Sequence, residues 1–110
     1  MKIRTGFVSN SSSSSFIITN LSPEKMTMED FALETIYLVK EFNEYYDADI
    51  TLGDFFTAVE DYNYEWEPFE ALNCIFGDED CNALGRVYDY MLRDDGCTNS
   101  FKWYLKEMLR

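Results

Sequence analysis

Three cysteines, twenty-one carboxylates and no histidine set the chemistry open to this 110-residue chain. Without histidine there is no Ser-His-Asp or Cys-His relay. Cys74, Cys81 and Cys97 form no CxxC pair and, being odd in number, no closed disulfide framework. They read as reduced thiols, which predicts a reducing, cytoplasmic location. No base stands near any of them in the sequence, so none is assigned as a nucleophile. Carboxylates are so abundant that no acid–base pair stands out. Asp78, Asp80 and Asn82 start like a calcium loop, and Asp89 falls at its twelfth position. Ala83, however, stands at the sixth position, where glycine must turn the chain, and Arg86 at the ninth. Scattered cysteines without histidine do not make a zinc site. The expectation is a binding protein rather than an enzyme, with no catalytic residue, metal or cofactor.

The serines are the other unusual chemistry. Ser9-Asn10 is followed by Ser11 to Ser15 and then Phe16-Ile17. Consecutive hydroxyls and amides suit an anion, but no Gly-Lys-Ser/Thr follows, so the Walker pattern is absent. Serine tracts also accept phosphate and other modifications. The string Arg4-Thr5-Gly6-Phe7-Val8-Ser9-Asn10, with its serines and Phe16-Ile17, resembles an N-terminal segment that recurs on small bacterial and bacteriophage proteins of unassigned activity. The resemblance covers about 15 of 110 residues. It implies a bacterial or phage setting and carries no activity with it.

The elements that must hold these residues are read from periodicity. Residues 3–8 and 16–19 are β-prone on either side of the serines and predict a hairpin with a serine loop over 1–21; the alternative is a flexible serine tail. From Ser22 the pattern turns helical over 22–110. Ser22-Pro23-Glu24 offers one helix start. Thr27 with Asp30 offers a stronger one, followed by Met28, Phe31, Ala32, Thr35, Ile36, Val39 and Phe42 on one face to about Asn43. Thr51 with Asp54 caps the next helix, with Leu52, Phe55, Phe56 and Val59 inward. Residues 62–66 break the period and read as a loop. Pro68 to Phe76, stopped by Gly77, reads as a short helix. Asp78 or Asp80 caps a helix with the stripe Leu84, Val87, Tyr88, Met91 and Leu92, ended by Gly96. Thr98 or Asn99 caps a last helix with Phe101, Tyr104, Leu105 and Met108 inward. The expected architecture is a single domain over 1–110, α+β and mostly α, with an N-terminal β-hairpin packed on about five short helices.

Charge then suggests a use for the scaffold. The formal net charge is −12, and residues 41–95 hold sixteen acids against Arg86 and Arg93 alone. Such a chain repels nucleic acid and anionic lipid and attracts basic partners. No run of apolar residues is long enough to span a membrane, and no apolar region follows Lys2 and Arg4 as a signal peptide requires. A fixed array of carboxylates resembles the phosphates that basic grooves neutralise. Aromatics interleaved with the acids add contacts of the kind found at binding hot spots. The expected contact residues are Glu60, Asp61, Tyr62, Tyr64, Glu65, Trp66, Glu67, Asp78, Glu79 and Asp80. The expected partner is a basic protein, a host nucleic-acid-binding protein inhibited by DNA or RNA mimicry, as anti-restriction and anti-CRISPR proteins do. The alternatives are a small structural or adaptor protein whose serine loop is a recognition or modification site, and last an enzyme using that loop for a phosphorylated substrate. The competing plain explanation is that the acids only solvate helix faces.

Overall fold

Ser13–Asn20 (β1) is the strand around which the molecule is built. It alternates: Ser14, Phe16, Ile18 and Asn20 are buried, while Ile17 and Thr19 are partly exposed. The computed structural model describes residues 13–77 and 82–109. β1 pairs antiparallel on one side with β4 (Ala71–Gly77) and on the other with β6 (Phe101–Leu109). A short strand β5 (Gly96–Cys97) extends the sheet beyond β6, giving the order β4-β1-β6-β5. A bulge between Ser15 and Phe16 shifts the β1–β6 register and lets Ser14, Ser15 and Phe16 all be buried in succession. A separate two-stranded ladder joins β2 (Met26–Thr27) to β3 (Glu65–Trp66).

The helices are α1 (Met28–Glu34), α2 (Tyr37–Tyr46), α3 (Leu52–Ala58) and α4 (Ala83–Met91), with a 3-10 turn at Val59–Asp61. Their starts follow local chemistry. Thr27 and Asp30 form a reciprocal capping box on α1. The Thr51 side chain accepts from the Asp54 N–H at 3.0 Å on α3. Asn82 accepts from the Gly85 N–H at 3.0 Å on α4. The cap of α4 is therefore Asn82; Asp78 and Asp80, expected there, lie outside the described residues. The expected single helix from Thr27 to Asn43 is two. Thr35 ends α1 with its hydroxyl on the Phe31 carbonyl at 2.7 Å, where a bonding alternative to the helix ladder is open to threonine. The expected helix start at Ser22-Pro23-Glu24 is a turn, with Ser22 Oγ accepting from the Glu24 N–H at 2.9 Å.

Two expected helices are strands, and this overturns the mostly helical architecture. Among the described residues there are four helices, with 39% helix and 32% strand, and the sheet is four-stranded. Pro68 and Phe69 form the centre of a tight turn closed by Glu70 N–H to the Glu67 carbonyl at 3.0 Å, with Phe69 at φ 61°; no helix starts there. Beyond it Cys74 and Phe76 are buried while Ala71, Asn73 and Ile75 are exposed, a strand period. In the final segment Phe101 and Trp103 are buried while Lys102 and Tyr104 are exposed, again a period of two. The aromatics that suggested a helix suit a pleated surface at least as well. At the expected hairpin, both edges of residues 16–19 are taken by the distant β4 and β6, and residues 3–8, its other expected strand, lie outside the described residues.

The sheet's inner face, formed by Phe16, Ile18, Cys74, Phe76, Phe101 and Trp103, meets the buried stripes of the helices in one continuous core. Phe31 of α1 is its hub, with ring centroids 5.0 to 5.9 Å from those of Trp66, Tyr88, Phe101 and Trp103. α4 lies close on the end of β4. A Cβ on Gly85 would overlap the Gly77 carbonyl and the Tyr62 hydroxyl, so only glycine allows this approach.

Candidate protein-binding surface

The acids of the chain's middle segment are positioned by three connected features: the turn after α2, the end of α3, and the start of α4. The turn is pinned by Asn43. Its Nδ2 donates to the Ile50 carbonyl at 2.8 Å and its Oδ1 accepts from the Ile50 N–H at 3.0 Å. Asp47 takes a left-handed conformation at φ 52°, one that aspartate tolerates better than most residues. These bonds place Asp49 beside the N-terminus of α3. At the far end of α3, the 3-10 turn presents Glu60 and Asp61, and the Asn82 amide donates to Asp61 Oδ2 at 2.5 Å. Asn82 thus caps α4 and holds Asp61.

The result is an open cleft of about 660 Å3 bordered by Asp49, Asp54, Glu60, Asp61 and the single cation Arg86. A shallower groove of about 220 Å3 is bordered by Glu29, Glu60, Tyr62, Tyr64 and Glu65. Glu60 borders both, so the two hollows adjoin at an acidic residue. Among the described residues Arg86 has no ion pair with these acids. The compensating lysine lies at one end: Lys25 Nζ is 3.3 Å from Glu65 and 3.8 Å from Glu67. All of these are exposed pairs, each worth well under about 1 kcal/mol.

The expected contact residues divide. Glu60 and Asp61 lie on the cleft, and Glu65 and Glu67 are exposed beside Lys25. Tyr62 and Tyr64 are half-buried, and their rings sit 5.2 and 5.9 Å from Phe76. The Tyr64 hydroxyl accepts from the Ile75 N–H at 3.0 Å, covering the open edge of β4, and burial raises its pKa. Trp66 is a correction. It is wholly buried, and its indole N–H donates to the Ile18 carbonyl at 2.8 Å, so it is a core residue and offers no contact surface. Asp78, Glu79 and Asp80 lie outside the described residues. Asp49, Asp54 and Glu29 belong to the surface although sequence spacing did not select them; the Thr51–Asp54 cap placed Asp54 at a helix start, but nothing local brings α4 alongside.

Asp89 is also unlike the other acids. It is buried, with Oδ1 accepting from Ser14 Oγ at 2.6 Å and from Arg93 at 3.2 Å. The serine tract is therefore partly structural: Ser14 and Ser15 are inside the sheet, and Ser15 donates to Asn73. Neither is open to a modifying enzyme. Among the described residues no group of three or more Cys, Asp or Glu converges as a metal site, and no helix is long and apolar enough to cross a membrane.

The thiols differ sharply. Cys97 is exposed, whereas burial pushes the Cys74 thiol up to about 12. Because the thiolate is the reactive form, iodoacetamide at pH 8 is expected to modify Cys97 and leave Cys74 intact, as peptide mapping by mass spectrometry would read. The same shift has a stability sign. The unfolded thiol releases its proton near pH 9.0 while the folded one holds it to about 12. The contribution of Cys74 is then fully present below pH 9 and is lost as pH rises from there towards 12.

No family model matches this chain, and neither a curated protein nor a solved structure is found to be similar to it.

Proposed function

We propose that this protein is an acidic inhibitor that docks its carboxylate surface in the basic nucleic-acid groove of a host protein, in the manner of anti-restriction and anti-CRISPR proteins. The observation that carries the reading is a pair of adjoining hollows that share Glu60 and are bordered by Asp49, Asp54, Asp61, Glu29 and Glu65, with Arg86 the one cation in either lining. A rigid array loses little conformational freedom on binding, and its field speeds encounter with a basic groove.

The test is capture from bacterial lysate followed by washes of rising salt. The wild-type chain should retain a basic nucleic-acid-binding protein that elutes with salt. Reversal of Asp49, Glu60 and Glu65 to lysine avoids Asp61, whose carboxylate supports the α4 cap. It should weaken that binding by more than about tenfold at low salt. The circular dichroism spectrum should be unchanged. Retention by the reversed variant at physiological salt would exclude the electrostatic reading. The serine-tract alternative is narrowed, because Ser14 and Ser15 are buried.

A further inference from the structure

At the other end of α4 lies a cluster that the acidic cleft does not use. Tyr45 and Tyr46 end α2, and Tyr90 and Met91 end α4. The Tyr45 and Tyr46 rings are 4.9 Å apart between centroids, and the Tyr46 and Tyr90 rings 5.2 Å. Buried Phe42 backs Tyr46 at 4.9 Å. Together with Asp94 they border a notch of about 310 Å3. An adjoining hollow of about 440 Å3 shares Tyr45 and Met91 and adds Glu41 and Glu44. Tyr45 is 80% exposed, a large aromatic surface left in water beside two other tyrosines.

The charges around this notch fix what it suits. Arg93 already lies over the Tyr90 ring at 5.1 Å, but its charge is held by Asp89. Lys40, the one cation of α2, borders neither hollow. Glu41, Glu44 and Asp94 have no ion pair among the described residues. Tyrosine faces attract cations within about 6 Å of the ring centroid. Carboxylates at the rim add acceptors for a donor-bearing head. Arginine meets both demands, because its planar guanidinium stacks on rings while its N–H groups reach carboxylates. A quaternary ammonium has no donors for the carboxylates.

We propose that this notch is a binding site for an arginine side chain of a partner protein. The guanidinium stacks on the exposed Tyr45 ring and donates hydrogen bonds to the Asp94 carboxylate, while Glu41 and Glu44 across the adjoining hollow add negative charge. Arg86, on the acidic cleft, and Tyr90, on the notch, are one helical turn apart on α4. That the arginine belongs to the partner of the acidic surface rests on the reading above; the notch itself does not.

The probe is the capped peptide N-acetyl-glycyl-arginyl-glycinamide, with its neutral citrulline isostere as control, titrated into the full chain and read by the aromatic NMR signals of Tyr45, Tyr46 and Tyr90. The arginine peptide should shift those signals saturably and the citrulline peptide should not. Tyr45→Ala should weaken binding about two- to fivefold and Tyr45→Phe should restore it. The exposure of Tyr45 makes its replacement safe for the fold. Reversal of Asp49, Glu60 and Glu65 should leave the peptide affinity within about twofold at about 0.15 M salt, because none of the three borders the notch or its adjoining hollow. Equal shifts from both peptides, or full affinity in Tyr45→Ala, would overturn the proposal. A normal notch with a failed lysate capture would instead sink only the acidic-surface reading.

Discussion

Phe31→Ala is expected to lower stability by about 4 kcal/mol, the usual cost of removing a buried aromatic and leaving its cavity. The position is fully buried and touches Trp66, Tyr88, Phe101 and Trp103 at once. Those four rings come from β3, α4 and β6. No single element can move inward to fill the space without leaving another. A domain of this size holds only about 5–15 kcal/mol in total. The melting temperature should therefore fall by about 15 °C or more, read by circular dichroism. A loss below about 1 kcal/mol would mean that these rings do not converge on α1.

Asp89→Ala is expected to cost about 3 kcal/mol, for a different reason. The carboxylate is buried and joins the Ser14 hydroxyl of β1 to the Arg93 guanidinium beyond α4. Removing it leaves a buried hydroxyl without its acceptor and a cation without its partner, and such half-broken pairs are costly. Arg93 keeps one bond, from Nε to the Asp89 carbonyl at 2.7 Å, which survives the substitution. Its side chain is also 28% exposed, which puts the cost at the lower end of the range for buried pairs. Ser14→Ala should cost less, about 1 kcal/mol, because Arg93 still faces the carboxylate. Urea midpoints measure both. Equal midpoints for Asp89→Ala and wild type would place this carboxylate in water, with the other acids.

How much of this was readable from the chain depends on the range of the interactions involved. The caps Thr27–Asp30 and Thr51–Asp54 were legible because three residues in sequence contain the whole hydrogen-bond cycle. The stripe Leu84, Val87, Tyr88 and Leu92 was legible for a similar reason, since about two and a half turns of one helix record which side is buried; Met91, expected with them, is only partly buried. β4 and β6 were not. Each is a short apolar run that fits both periods, and the choice is made by β1, whose partners stand more than fifty residues away in sequence. Trp66 misled because it breaks the helical period. Its place in the core is set by the β2–β3 ladder and by the Ile18 carbonyl, neither of which is local. At the acidic surface, Glu60 and Asp61 were legible as neighbours. Asp49 joins them only because Asn43 folds the 47–50 turn back toward α3.

The central claim is that the carboxylate surface stands in for nucleic acid, and competition tests it most directly. The captured partner, bound to a labelled DNA duplex, should release the duplex as this protein is added, one copy displacing one site, with no complex containing all three. The Asp49, Glu60 and Glu65 reversal should leave the duplex in place. A stable ternary complex of partner, duplex and protein would contradict the account, because two occupants cannot hold one groove.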